Sequence, residues 1–237
     1  MPQPHPVTGL SNRAFLETYA APGRIGLAGG ADVISRLIGH AQRHLDDDHR
    51  PSLWSHAFIF QGPRLDRQHW VFESDLELHR KNIRLGVQEN RFEKFCSEDA
   101  YPTLAVLDFG LADEHLTAIF RESLDMVAGR IRYSLRELMG TLIGIHRPAK
   151  RSRPNPLARR HSLFCSAFVT HVMRKAGLDP VPGLDVKHTA PEDLFRSDLA
   201  QHIWLLQRDP DPKPSLAARV ATRVATRVRT RLGKKAG

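Results

Sequence analysis

LWSHAFIF (residues 53–60) and HWVFESDL (residues 69–76) are two short apolar runs rich in aromatic and β-branched residues, joined by QGPRLDRQ with its Gly62 and Pro63. Such residues pack on a pleated surface, and a Gly-Pro connection turns the chain back, so the pair predicts an antiparallel hairpin with a longish loop. KNIRLGV, TLAVLDFGL and HIWLLQR supply further strands. Between them lie helical patterns. Ala31 to Leu45 carries Val33, Ile34, Leu37, Ile38, Ala41 and Leu45 at helical spacing, and Ala112 to Ala128 carries Leu116, Ile119, Phe120, Leu124 and Val127, with Asp113 as its cap. SLFCSAFVTHVMRKAGL repeats apolar residues every four positions and ends at Gly177, where a helix C′ glycine belongs. Thr189-Ala190-Pro191-Glu192 has the form of a capping box. The fold class is α+β, with a mostly antiparallel sheet packed against a cysteine-bearing helix.

The hairpin holds two polar residues in apolar surroundings, His56 and Glu73. A turn centred between Arg64 and Leu65 pairs Phe60 with His69, Phe58 with Val71 and His56 with Glu73. Cross-strand partners share a face about 5 Å apart. Glu73 would then fix one ring nitrogen of His56 and leave the other for chemistry. A slip of one residue would put the two on opposite faces.

The chain has two cysteines, both inside the tripeptide Phe-Cys-Ser. In a reducing compartment they are free thiols rather than a disulfide. A thiol attacks as thiolate, which a helix N-terminus and neighbouring cations favour. With Ser162 as cap, Cys165 falls in the first turn of the amphipathic helix, preceded by Arg159, Arg160 and His161. Cys96 is flanked by Glu93, Glu98 and Asp99, which disfavour thiolate, and reads as a packing residue.

The formal charge of +9 sits in the tail. Eight basic residues and no acidic one follow from Lys213 onward, so the remaining 27 basic residues nearly balance 26 acidic ones. The body therefore gives no basis for specific nucleic-acid binding. Residues 1–21 read as a leader, 22–208 as a catalytic domain, and 209–237 as a Pro-rich linker with a basic tail. In the tail Arg219, Arg223, Arg227 and Arg231 recur every four residues beside Val220, Val224, Val228 and Leu232. Residues 216–235 could lie on an anionic membrane surface; the plain alternative is a solvated tail. The proline- and arginine-rich 147–161 reads as a loop. There is no basic-then-apolar leader at the start and no run of about 18 apolar residues, so the expected location is cytoplasmic, or peripheral at the inner face of the membrane.

Ser-His-Ala-Phe-Ile-Phe, then Val-Phe-Glu-Ser, then Phe-Cys-Ser-Ala-Phe-Val opening a helix that ends in Ala-Gly-Leu, together resemble the permuted branch of the NlpC/P60 papain-like cysteine hydrolases. The upstream Pro-Gly-Arg-Ile and downstream Thr-Ala-Pro-Glu-Asp-Leu resemble segments of the same family, with Arg24 where the family has Asp. The resemblance implies a circularly permuted papain-like fold, with Cys165 as nucleophile, His56 as general base and then acid, and Glu73 as the orienting residue. It implies acyl transfer through a thioester acyl-enzyme, on a peptide amide or a lipid ester, with no cofactor and no metal. Lipid acyltransfer or esterase activity on the same fold, and a non-catalytic binding module with a membrane- or nucleic-acid-contacting tail, remain as alternatives. A rival of another kind is a metal site on His40 and His44, four residues apart and followed by Asp46 to Asp48 and His49.

Overall fold

The structure is a computed structural model that describes residues 2–79, 82–129 and 164–208. Met1–Gln207 form one compact unit, and Arg208–Gly237 form another. The loop 147–161, the cap Ser162 and the basic stripe 216–235 lie outside the described residues.

Seven strands form one mixed sheet among the described residues: β1 (His5–Val7), β2 (Ile25–Gly29), β3 (His56–Pro63), β4 (His69–His79), β5 (Asn82–Arg91), β6 (Thr103–Asp108) and β7 (His202–Leu206). Their spatial order is β1-β7-β6-β2-β3-β4-β5. β1 runs parallel to β7, and the other neighbours are antiparallel. The helices among the described residues are α1 (Asn12–Tyr19), α2 (Val33–Ala41), α3 (Asp113–Ala128), α4 (Cys165–Lys175) and α5 (Pro191–Phe195).

Strand side chains alternate between faces, and the core divides accordingly. Ile25, Leu27, Ala57, Ile59, Ala105 and Leu107 join one buried cluster with Phe168, Val169 and Val172 of α4 and Ile119 and Met126 of α3. Ala28, Phe58, Phe60, Leu104 and Val106 join a second with Phe15 and Leu16 of α1 and with Phe92 and Phe95. Both faces of the central strands are thus covered, which is why these strands read as nearly continuous apolar runs.

Several expectations are corrected. The stretch expected as a leader is part of the sheet unit: β1 pairs with β7, and α1 buries Phe15 and Leu16 completely. The helix expected to run to Leu45 ends at Ala41, and a 3₁₀ turn follows over Arg43–Leu45. Ala112 rather than Asp113 caps α3. Ala190 rather than Thr189 caps α5, and it is the Asp193 carboxylate that accepts from the Ala190 N–H, at 2.7 Å. Glu192 instead accepts from Ser52 Oγ at 2.7 Å and from Arg196 Nε at 2.6 Å. Gly177 follows α4 with φ +84°, the left-handed geometry expected of a C′ glycine.

The hairpin register also differs. Phe58 lies opposite Glu73 and Phe60 opposite Val71, two residues from the expected pairing. The register shifts between Phe60 and Gly62, and Gly62 takes φ +93°. This bulge inserts an extra residue that the turn alone does not disclose. Because strand faces alternate with period 2, a shift of two keeps His56 and Glu73 on one side.

Candidate active site

His56 opens β3 and Cys165 opens α4. The helix starts later than expected: Phe164 is its N-cap, which makes Cys165 the first helical residue. Backbone N–H groups in a first turn have no partner within the helix, so they face outward as donors beside the thiol. Cys165 and His56 line one cavity of about 230 Å³ with Asp32, Ile34, Ser35, Ile38, Ser55, Ser74, Asp75, Tyr101 and Phe164.

Glu73 is fully buried. Its Oε2 accepts from His56 Nε2 at 2.6 Å, and its Oε1 accepts from Asn90 Nδ2 and Lys94 Nζ, each at 2.6 Å. Lys94 Nζ also donates to Asp75 Oδ2 at 2.7 Å. With Nε2 of His56 taken by Glu73, Nδ1 is the ring nitrogen left for the Cys165 thiol, which lines the same cavity. Phe58 and Phe95 stack beside the ring, with centroids 6.1 and 5.9 Å away.

Burial by itself lowers the pKa of His56, but the charge of Asp75, the neighbouring Cys165 and the hydrogen bond to Glu73 outweigh it and raise the value to about 10. Burial by itself raises the pKa of Glu73; the hydrogen bond from His56 and the charge of Lys94 reverse this and hold it below the usual carboxylate value. The favoured state is therefore imidazolium against carboxylate. Burial pushes the Tyr101 phenol up to about 12, so its hydroxyl keeps its proton at neutral pH. Cys96 lies elsewhere, packed against the second core cluster, and burial is the main cause that raises its pKa.

Thus two of the side chains singled out from the sequence, His56 and Cys165, meet at one cavity, and the third, Glu73, is bonded to His56. Asp75, Asn90, Lys94 and Tyr101 were missed. Asp75 carried a signal, since it lies two residues after Glu73 and so faces the same side of β4. Lys94 carried none: it sits in a 3₁₀ turn (Phe92–Cys96) whose Phe92 and Phe95 anchor in the core.

His56, Glu73 and Asp75 present donor atoms within 4.8 Å of one another, the one such cluster among the described residues. The Lys94 ammonium is bonded to both carboxylates and already supplies their countercharge, so the cluster does not fit a dication. The His40 and His44 pair is not gathered into a metal cluster among the described residues. α2 ends between them, and their ring nitrogens lie near Arg43 and the Ala41 carbonyl.

No family model matches the chain, and no curated protein does. Among solved structures it is similar to the crystal structure of metalloprotein yiiX from Escherichia coli O157:H7, described as DUF1105. The identity is 13% and the TM-score 0.49, over 81% of this chain and 99% of that one. The resemblance to the NlpC/P60 family is corrected: no family model matches the chain. Matches of four to six residues in the right order do not establish membership. No helix among the described residues is long and apolar enough to cross a membrane.

Proposed function

We propose that the chain is a cysteine-dependent hydrolase working by acyl transfer. One observation carries the reading: His56 lines the same cavity as the Cys165 thiol and donates from its ring Nε2 to the buried Glu73 carboxylate at 2.6 Å. A nucleophile, a base and a group that orients the base are the minimum for covalent acyl transfer. Cys165 Sγ attacks the substrate carbonyl carbon as thiolate, and the carbonyl oxygen becomes an oxyanion. The Cys165 N–H at the helix start and the protonated Tyr101 hydroxyl on the cavity wall are its donors. His56 gives its proton to the leaving group as the tetrahedral intermediate collapses to a thioester. It then takes a proton from water as the water oxygen attacks the thioester carbon; the C–S bond breaks, the acid leaves, and the thiolate and protonated His56 are restored. Glu73 holds Nε2, so that Nδ1 faces the sulfur throughout.

The finer fold reading that accompanies this function is a circularly permuted papain-like arrangement. Its support is the chain order of histidine strand, acid strand and cysteine helix.

A second reading concerns the acyl group. Ile34 and Ile38 line the cavity, and Val33, Ile34 and Leu37 on the same helix are 64%, 41% and 57% exposed. Covering what remains exposed of each would contribute about 0.6–2 kcal/mol, so an apolar acyl chain laid along α2 has a favourable surface. That favours lipid esters over polar peptide amides. The test is activity-based profiling with a thiol-directed acyl probe against matched panels of long-chain esters and peptide amides, with Cys165→Ser as control. Turnover that persists in Cys165→Ser would overturn the cysteine mechanism, and preference for peptide amides would overturn the lipid reading.

A further inference from the structure

A fully buried carboxylate, Glu73, and a half-buried one, Asp75, beside one imidazole form an unstable set by themselves. Like charges this close raise one another's pKa until one takes up a proton. A protonated Glu73 would offer an O–H where it now accepts from His56, and the ring would lose the contact that fixes its tautomer. The structure supplies a remedy in Lys94, whose ammonium lies 2.6 Å from Glu73 Oε1 and 2.7 Å from Asp75 Oδ2.

We propose that Lys94 is a positioning residue of this site: its ammonium is a built-in countercharge that keeps Glu73 and Asp75 ionised together under His56, in the place a metal ion would take in a carboxylate-rich centre. The catalytic consequence rests on the cysteine-hydrolase reading; the electrostatic role does not. Lys94 is set by the turn that carries it. Phe92 and Phe95 are buried and fix the turn, and Lys94 Nζ lies 5.1 Å from the centre of the Phe95 ring. The charged and titratable groups around it are Glu73 and Asp75 from β4, His56 from β3, and Tyr101, with Asp32 lining the same cavity. With His56 protonated, two positive charges face the two carboxylates of β4. A lysine suits this place because a compact ammonium can serve two carboxylates as a point charge.

The test is a carboxyl-¹³C titration of Glu73 in the full chain, with the resonance assigned from Glu73→Gln. In the wild type the Glu73 signal is expected to hold its ionised position to below the ordinary glutamate range. In Lys94→Met its midpoint is expected to rise by about 1 pH unit or more, and in Lys94→Arg to return toward the wild type. A wild-type Glu73 that titrates in the ordinary range or above overturns the inference without any variant, so a Lys94→Met protein that fails to fold leaves it decidable. An unmoved midpoint in folded Lys94→Met overturns it too.

Iodoacetamide alkylation of Cys165 in the same samples separates the two claims. It is expected to slow about tenfold in Lys94→Met and to recover in Lys94→Arg, the equivalent of one pKa unit of lost stabilisation. If Cys165 reacts no faster than Cys96 in the wild type while the Glu73 midpoint shifts, the hydrolase reading fails and the countercharge stands. If Cys165 is reactive and Glu73 does not shift, the countercharge fails and the hydrolase reading stands.

Discussion

His56 reaches Glu73 across the β3–β4 ladder at 2.6 Å although the register sets Phe58, not His56, opposite Glu73. The contact is therefore diagonal. It lies within reach of long side chains on the shared face of two antiparallel strands.

That contact makes the thiol testable first. Iodoacetamide at neutral pH is expected to modify Cys165 well ahead of Cys96, as peptide mapping will read. Turnover in His56→Ala is expected to fall about 10²–10⁴-fold, the usual worth of a positioned general base. Equal labelling of the two cysteines would end the assignment.

The raised pKa of His56 also gives stability a pH signature. Its value moves from 6.5 to about 10 in the folded protein, so its contribution is complete below 6.5 and is lost as pH rises toward 10. Denaturant midpoints of the wild type are expected to fall across that window, and those of His56→Ala to fall less. Glu73 acts with the opposite sign: its lowered pKa gives a contribution lost only as pH drops into the acid range.

Tyr101→Phe removes a protonated hydroxyl from the cavity wall and leaves the ring that meets Phe95 at 5.0 Å. Loss of one oxyanion donor is expected to lower kcat by about 10²–10³-fold with little change in Cys165 alkylation. A fall in alkylation as large as the fall in kcat would assign Tyr101 to the thiol instead.

Chelators are expected to leave alkylation and turnover unchanged, because Lys94 already neutralises Glu73 and Asp75. Metal analysis of the purified protein that finds stoichiometric zinc or iron, lost in Asp75→Asn, would contradict this.

Much of the sheet was legible because aromatic and β-branched runs announce strands, and the period of 2 protects a face assignment from an even register error. The bulge at Gly62 was not legible, since a loop sequence does not say where the ladder resumes. α2 shows the limit of periodicity. Its apolar stripe was plain, but Val33, Ile34 and Leu37 turn out exposed beside the cavity, because a stripe does not name what covers it. β1 is three residues long and draws its pairing from β7, far along the chain, so no local pattern betrays it. Lys94 stayed hidden for the same reason: its role comes from folding a 3₁₀ turn against a strand, not from any motif around it.

The placement of β7 between β1 and β6 bears on biosynthesis. The last strand among the described residues fills an interior slot, so a nascent chain halted before Leu206 leaves the β6 ladder open on one side and β1 without β7. Such an edge invites pairing with other chains. Products shortened there should be prone to aggregate, even though every residue of the thiol cavity has already been synthesised.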